Sequence, residues 1–261
     1  MRWSIGSILC LAGSASLLAQ APAPATQPST TPTTKPSGPQ SPTIAAPKAG
    51  NENAYNGFIR RHEGFLKDKQ AALAKGPIQF VLIGDSITDG WRSGGKQVFD
   101  AAFGDWNPYN IGIGGDQTQH VLWRIDKGEL DGIEPNPKVA MIMIGTNNMR
   151  AEAQDIADGV TRIVKKVQEK LPNTKILLLA IFPRAPQAAD PLRAKIKAVN
   201  QTISALDDAG KTVVYLDIGA KFLAEDGSLP KDIMPDFLHP NAKGYQIWAD
   251  AVKPTIETMM K

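Results

Sequence analysis

The chain is poorest in the side chains that redox and metal chemistry favour, with one cysteine and three histidines in 261 residues. The cysteine, Cys10, lies inside the N-terminal stretch "MRWSIGSILCLAGSASLLAQ" and follows Leu9, where a lipid-modified cysteine would sit later and after a small residue. Once that stretch is removed no cysteine is left, which excludes disulfides, thiolate metal sites and a cysteine nucleophile. A large excess of one charge sign is also missing. The formal net charge is +3 and no long basic run occurs, which argues against nucleic acid as a partner. A long apolar span is missing too. The N-terminal stretch has an early Arg2, a short apolar run and then small residues, the pattern of a secretory signal peptide over residues 1–20 rather than of a membrane anchor. Export without stable membrane insertion after cleavage is the expectation.

What is present begins with a composition shift. Residues 21–52 are dominated by Pro, Thr, Ala and Ser and cannot bury enough apolar surface to offset their ordering entropy, so they read as a disordered spacer. Residues 53–261 have the makings of one domain with one good-sized core. Apolar runs at 78–84, 109–113, 138–145, 174–181 and 212–218 read as strands, several of them apolar throughout, as strands covered on both faces are. Between them, 117–130, 155–171 and 192–210 have helical periodicity, and helices at each end begin near Asn53 and Asn241. Alternation of this kind implies a parallel sheet with right-handed crossovers, and in such sheets sites form where the strands end.

Four strand ends carry unusual polar residues. After the first run comes Gly84-Asp85-Ser86, where Ser86 can cap a helix or present a hydroxyl at the sheet edge. After the second comes "NIGIGGDQTQ", whose glycines Gly112, Gly114 and Gly115 form a turn able to offer backbone N–H groups. Its spacing is not that of a dinucleotide-binding loop, and no phosphate-binding lysine follows. After the third comes "IGTNNMR", where Asn147 is either an ordinary turn residue or an uncharged donor for an oxyanion. The last loop, "MPDFLHPNAKGY", sets Asp236 three residues before His239, which is either a surface ion pair or a carboxylate orienting an imidazole. Of the other histidines, His62 falls beside Arg60 and Arg61 on what reads as a solvated face. His120 falls inside a helix, where a structural role is expected. Trp91, in the stretch after Ser86, reads equally as core or as a pocket wall.

In that order these blocks resemble the SGNH (GDSL-type) hydrolases from about Tyr55 to Met259: "GDSI" at 84–87, Gly115, "GTNN" and "DFLHPN" at 236–241. The stretch "NIGIGGDQTQHVLWRIDKGEL" and the Pro183-Arg184 and Pro191-Leu192-Arg193 segments are similar to the catalytic subunits of type I platelet-activating-factor acetylhydrolase. The resemblance implies a flavodoxin-like three-layer α/β/α sandwich with a five-stranded parallel sheet, and a carboxylic ester hydrolase without metal or organic cofactor. It implies Ser86 as nucleophile, His239 as general base and acid, and Asp236 as its orienter. The oxyanion hole would comprise the Ser86 and Gly115 N–H groups and the Asn147 side chain. A small acyl ester, acetyl above all, is then the substrate and a homodimer the assembly. An acetylated carbohydrate is the alternative substrate, and a non-catalytic glycan-binding envelope protein is the alternative function.

Overall fold

The computed structural model describes Met1, Pro36 and residues 38–261, so the expected signal peptide beyond Met1 and half of the spacer lie outside the described residues. The element order is α1 (Glu52–Lys75), β1 (Phe80–Gly84), α2 (Ser86–Asp89), α3 (Lys96–Phe103), β2 (Tyr109–Asn110), α4 (Thr118–Asp126), β3 (Val139–Met143), α5 (Ala153–Lys170), β4 (Lys175–Leu179), α6 (Pro191–Ile203), β5 (Val213–Leu216) and α7 (Ala242–Met259). The five strands form one parallel sheet in the order β2-β1-β3-β4-β5. That is the flavodoxin-like order, and its strand direction of travel reverses between β1 and β3.

The continuously apolar strands follow from burial on both faces. Successive side chains point to opposite sides, so Val81, Ile83, Ala140, Ile142, Ile176 and Leu178 enter one core with α1, α4, α5 and α6. Their alternates, Phe80, Leu82, Val139, Met141, Leu177 and Leu179, enter a second core with α3 and α7. Three layers result. The second core is strongly aromatic: Trp91 is fully buried and packs against Tyr245 and Trp248, with ring centroids 4.4 and 4.8 Å apart. Trp91 is therefore core and not a pocket wall.

Four segments differ from the sequence expectation. β2 spans two residues instead of five, although Ile111 and Ile113 continue the ladder by donating to the Leu82 and Gly84 carbonyls. The strand is cut short because Gly112 passes so close to α2 that a Cβ there would lie 2.5 Å from the Asp89 backbone nitrogen. α3 and the short helix α2 were not expected, although Val98, Phe99, Ala102 and Phe103 give α3 an apolar face on the second core. Finally, residues 38–50, expected as disordered spacer, are packed on the domain. Pro42 is buried, its carbonyl accepts from the Thr118 hydroxyl at 2.8 Å, and Ala46 donates to the Gln119 carbonyl at 3.1 Å. Backbone groups here find partners that composition alone does not foresee. Among the described residues, no helix is long and apolar enough to cross a membrane.

Candidate active site

β1 ends at Gly84, and the chain turns at once into α2. A side chain at Gly84 would sit 2.1 Å from the Thr88 hydroxyl and 2.5 Å from the Met143 carbonyl, so only glycine lets β1 and the helix meet this closely. The cap of α2 is Asp85, whose Oδ1 accepts from the Ile87 N–H at 3.0 Å. Ser86 is thereby relieved of capping, and as the first helical residue its own N–H has no intrahelical acceptor. Its hydroxyl instead lies 2.8 Å from His239 Nε2.

His239 arrives from the other end of the sequence, in the loop before α7. Its Nδ1 is 2.6 Å from Asp236 Oδ2, while Asp236 Oδ1 accepts from the backbone N–H of His239 at 2.8 Å and of Leu238 at 3.1 Å. Both carboxylate oxygens are thus spent on fixing one turn and one ring. Between them Phe237 takes φ 59°, a left-handed conformation that costs a non-glycine residue on the order of 1–3 kcal/mol. The turn is held regardless, since Phe237 donates to the Met234 carbonyl at 2.8 Å and accepts from the Ala185 N–H at 3.0 Å. The Tyr245 hydroxyl, on α7, donates to the Ile87 carbonyl at 2.7 Å and so ties the helix after the histidine to the helix that bears the serine. Burial works against the charge of Asp236, but hydrogen bonds from the His239 ring and backbone hold its carboxyl below the usual range. With Nδ1–H donating to Asp236, Nε2 is left to accept the hydrogen bond of the Ser86 hydroxyl.

The three expected oxyanion donors stand on the turns after β1, β2 and β3. Among the described residues the Ser86 and Gly115 N–H groups have no acceptor within the chain. Gly115 has φ +73°, a conformation that favours glycine. The Asn147 amide donates one hydrogen to the Asp116 carbonyl at 2.9 Å and keeps the other free, and its own carbonyl on the backbone accepts from Gln117 Nε2 at 2.7 Å. Asp116 and Gln117 were not singled out in the sequence. Neither is chemically unusual there, and only the spatial approach of the β2 and β3 turns gives them a role.

The remaining histidines are both structural, one of them contrary to expectation. His62 is not on a solvated face: it is fully buried, with Nδ1 2.8 Å from Glu129 Oε1 and its ring edge on Trp123. Helical periodicity turned it inward while Arg60 stayed exposed and Arg61 remained partly so. His120 caps α4, its Nδ1 accepting from the Gln117 N–H at 3.1 Å. Burial, with Lys48 and Arg124 nearby, pushes its pKa down to about 3, so the ring is neutral.

A serine hydrogen-bonded to a histidine that a carboxylate orients, at the switch point of a parallel α/β sheet, has the layout of a serine hydrolase site. The chain belongs to the GDSL-like lipase/acylhydrolase family, whose model matches residues 82–247, and it is an ester hydrolase. It is similar to the platelet-activating factor acetylhydrolase IB subunit alpha2 of Rattus norvegicus, 33% identical over 207 residues that cover 78% of this chain and 84% of that one. The alpha1 subunit of Homo sapiens is 32% identical over 209 residues, covering 80% and 87%. Among solved structures, a GDSL-like lipase from Bacteroides thetaiotaomicron superposes with a TM-score of 0.60 at 22% identity, covering 76% of this chain and 97% of that chain. An acetylxylan esterase from Geobacillus stearothermophilus shares the fold at a TM-score of 0.52 and 19% identity, covering 69% and 93%.

Proposed function

We propose that the protein is an exported serine esterase that hydrolyses short-chain esters, acetyl esters above all, through an acyl-enzyme on Ser86. The observation that carries this reading is the Ser86–His239–Asp236 relay, with separations of 2.8 and 2.6 Å. In the first half-reaction His239 Nε2 takes the hydroxyl proton as Oγ attacks the ester carbonyl, and the imidazolium is stabilised by Asp236. The tetrahedral oxygen takes hydrogen bonds from the Ser86 and Gly115 N–H groups and the free Asn147 amide hydrogen. His239 then protonates the departing alcohol. Water, deprotonated by the same nitrogen, releases the acid. Removal of one oxyanion donor, as in Asn147→Ala, costs about 2.7–4 kcal/mol of transition-state stabilisation, a loss of about 10²–10³ in kcat.

The short-acyl preference is supported by the acetylhydrolase relatives. The acyl acceptor divides into two classes, a small acyl ester such as an acetyl glycerolipid and an acetylated carbohydrate such as acetyl xylan. A panel of both, with 4-nitrophenyl acetate and 4-nitrophenyl decanoate beside them, tests the reading. Acetyl esters turned over at least about tenfold faster than decanoate agree with it, and faster decanoate hydrolysis overturns it. Export is supported by residues 1–20, and mass measurement of the protein from culture fractions checks it: an intact N-terminus in the cytoplasm contradicts it. The relatives are subunits by name, which supports assembly, and sedimentation analysis tests whether this chain forms a homodimer.

A further inference from the structure

The packing of residues 38–50 reaches the proposed site. Lys48 Nζ donates to the Gly114 carbonyl at 2.7 Å and lies 3.2 Å from Asp116 Oδ1. One ammonium therefore holds both ends of the Gly114-Gly115-Asp116 turn, and a Cβ on Gly115 itself would stand 3.6 Å from Nζ. Asp116 is fully buried; Arg124 takes its Oδ2 at 2.9 Å. Oδ1 faces Lys48 and, at 3.8 Å, His120 Nδ1, a nitrogen that already accepts from Gln117 and is not protonated. Lys48 is thus the cation that faces that oxygen. The Asp116 carbonyl in turn orients the Asn147 amide at 2.9 Å. A second contact repeats the pattern: Gln40 accepts from His120 Nε2 at 3.0 Å and donates to the Pro47 carbonyl at 2.7 Å. His120 fixes Gln117, and Gln117 holds the Asn147 backbone.

We propose that residues 38–50 form a strap that sets two of the three oxyanion donors, Gly115 and Asn147, and that Lys48 is its positioning residue. The proposal rests on the esterase reading above. Lys48 does not take part in the covalent steps; it keeps the turn after β2 in the conformation that presents the Gly115 N–H and the Asp116 carbonyl. Losing it leaves the buried Asp116 carboxylate without its facing cation and the Gly114 carbonyl without its donor, and the turn relaxes. A small displacement of a reacting-group donor is enough to lower kcat, since misplacement by about 1 Å can cost 10²-fold.

The experiment compares full-length wild type with Lys48→Met, Lys48→Arg and Ser86→Ala, using 4-nitrophenyl acetate and a trifluoromethyl ketone that forms a tetrahedral adduct with an active serine. In Lys48→Met, kcat falls on the order of tenfold with KM within about twofold, and inhibitor affinity falls by the same factor as kcat/KM. Lys48→Arg, which keeps a cationic donor, restores most of the loss. Wild-type kcat in Lys48→Met, a change confined to KM, or a loss that the ketone does not mirror would overturn the proposal. If Lys48→Met does not fold, Lys48→Gln carries the same comparison with a donor but no charge, and retention of wild-type kcat there overturns the electrostatic part of the role. Ser86→Ala separates the two levels. If it is inactive while Lys48→Met is unimpaired, only the strap fails; if it remains active, the esterase reading fails first.

Discussion

Two histidine–carboxylate pairs of nearly the same geometry occur in this molecule, and they do different work. His239 and Asp236 are 2.6 Å apart with side chains 42% and 55% exposed, whereas His62 and Glu129 are 2.8 Å apart with 1% and 0% exposed. What separates them is the second ring nitrogen. In His239 it meets the Ser86 hydroxyl at the mouth of the sheet; in His62 it is buried with no partner among the described residues. The carboxylates differ as well. Asp236 spends its spare oxygen on backbone N–H groups that shape its own turn, while Glu129 gives its own to Arg124, which also grips Asp116. In the proposed reading one pair exchanges a proton, while the other fastens α1 to the segment that follows α4. A close pair alone is not a functional signal; the neighbour of the free nitrogen and its access to solvent are.

The contrast breaks most visibly with His239→Ala, for which kcat on an aryl acetate falls at least about 10⁴-fold while thermal unfolding hardly moves. The reverse outcome belongs to the buried pair. Glu129→Gln leaves the Arg124 charge half compensated in the interior, which destabilises by about 3–5 kcal/mol and lowers Tm by roughly 6–20 °C in scanning calorimetry. Its kcat per folded molecule should suffer far less than that of His239→Ala. Equal effects of the two substitutions on activity would dissolve the distinction.

A subtler test uses a third acidic group that belongs to neither pair. Asp85 is fully buried, and burial pushes its pKa up to about 7, against the Ile87 N–H that favours its charge. The folded state then binds this proton more tightly than the unfolded chain does. Its contribution is present in full below about pH 4 and is lost as pH rises through about 7. Asp85→Asn keeps the helix cap and removes the titration, so the stability of the variant relative to wild type rises between pH 4 and pH 8, by on the order of 3 kcal/mol. Parallel curves across that range would show that Asp85 titrates as an ordinary carboxylate.

The sequence carried most of the layout and little of its support. Strands buried on both faces read as unbroken apolar runs, so the parallel sheet was visible, and with it the turns that hold Ser86, Gly115, Asn147 and His239. The serine's choice between capping and attack was not decidable locally. It turned on Asp85, one residue earlier, taking the cap. His62 was misjudged because its neighbours Arg60 and Arg61 are charged, while the helix rotates each residue by about 100° onto a different face. Residues 38–50 were hidden by composition: a Pro- and Ala-rich segment has no apolar periodicity, and its order comes from single hydrogen bonds to Gln119, His120 and Gly114.

The account rests on Ser86 being the nucleophile that His239 activates. Wild-type protein and His239→Ala are treated with a fluorophosphonate probe, digested, and read by mass spectrometry for the site and extent of labelling. Stoichiometric phosphonylation of Ser86 in wild type, reduced by orders of magnitude in His239→Ala, is the expected result. Turnover of acetyl esters by a protein that the probe leaves unlabelled at Ser86, or labels equally without His239, would contradict it.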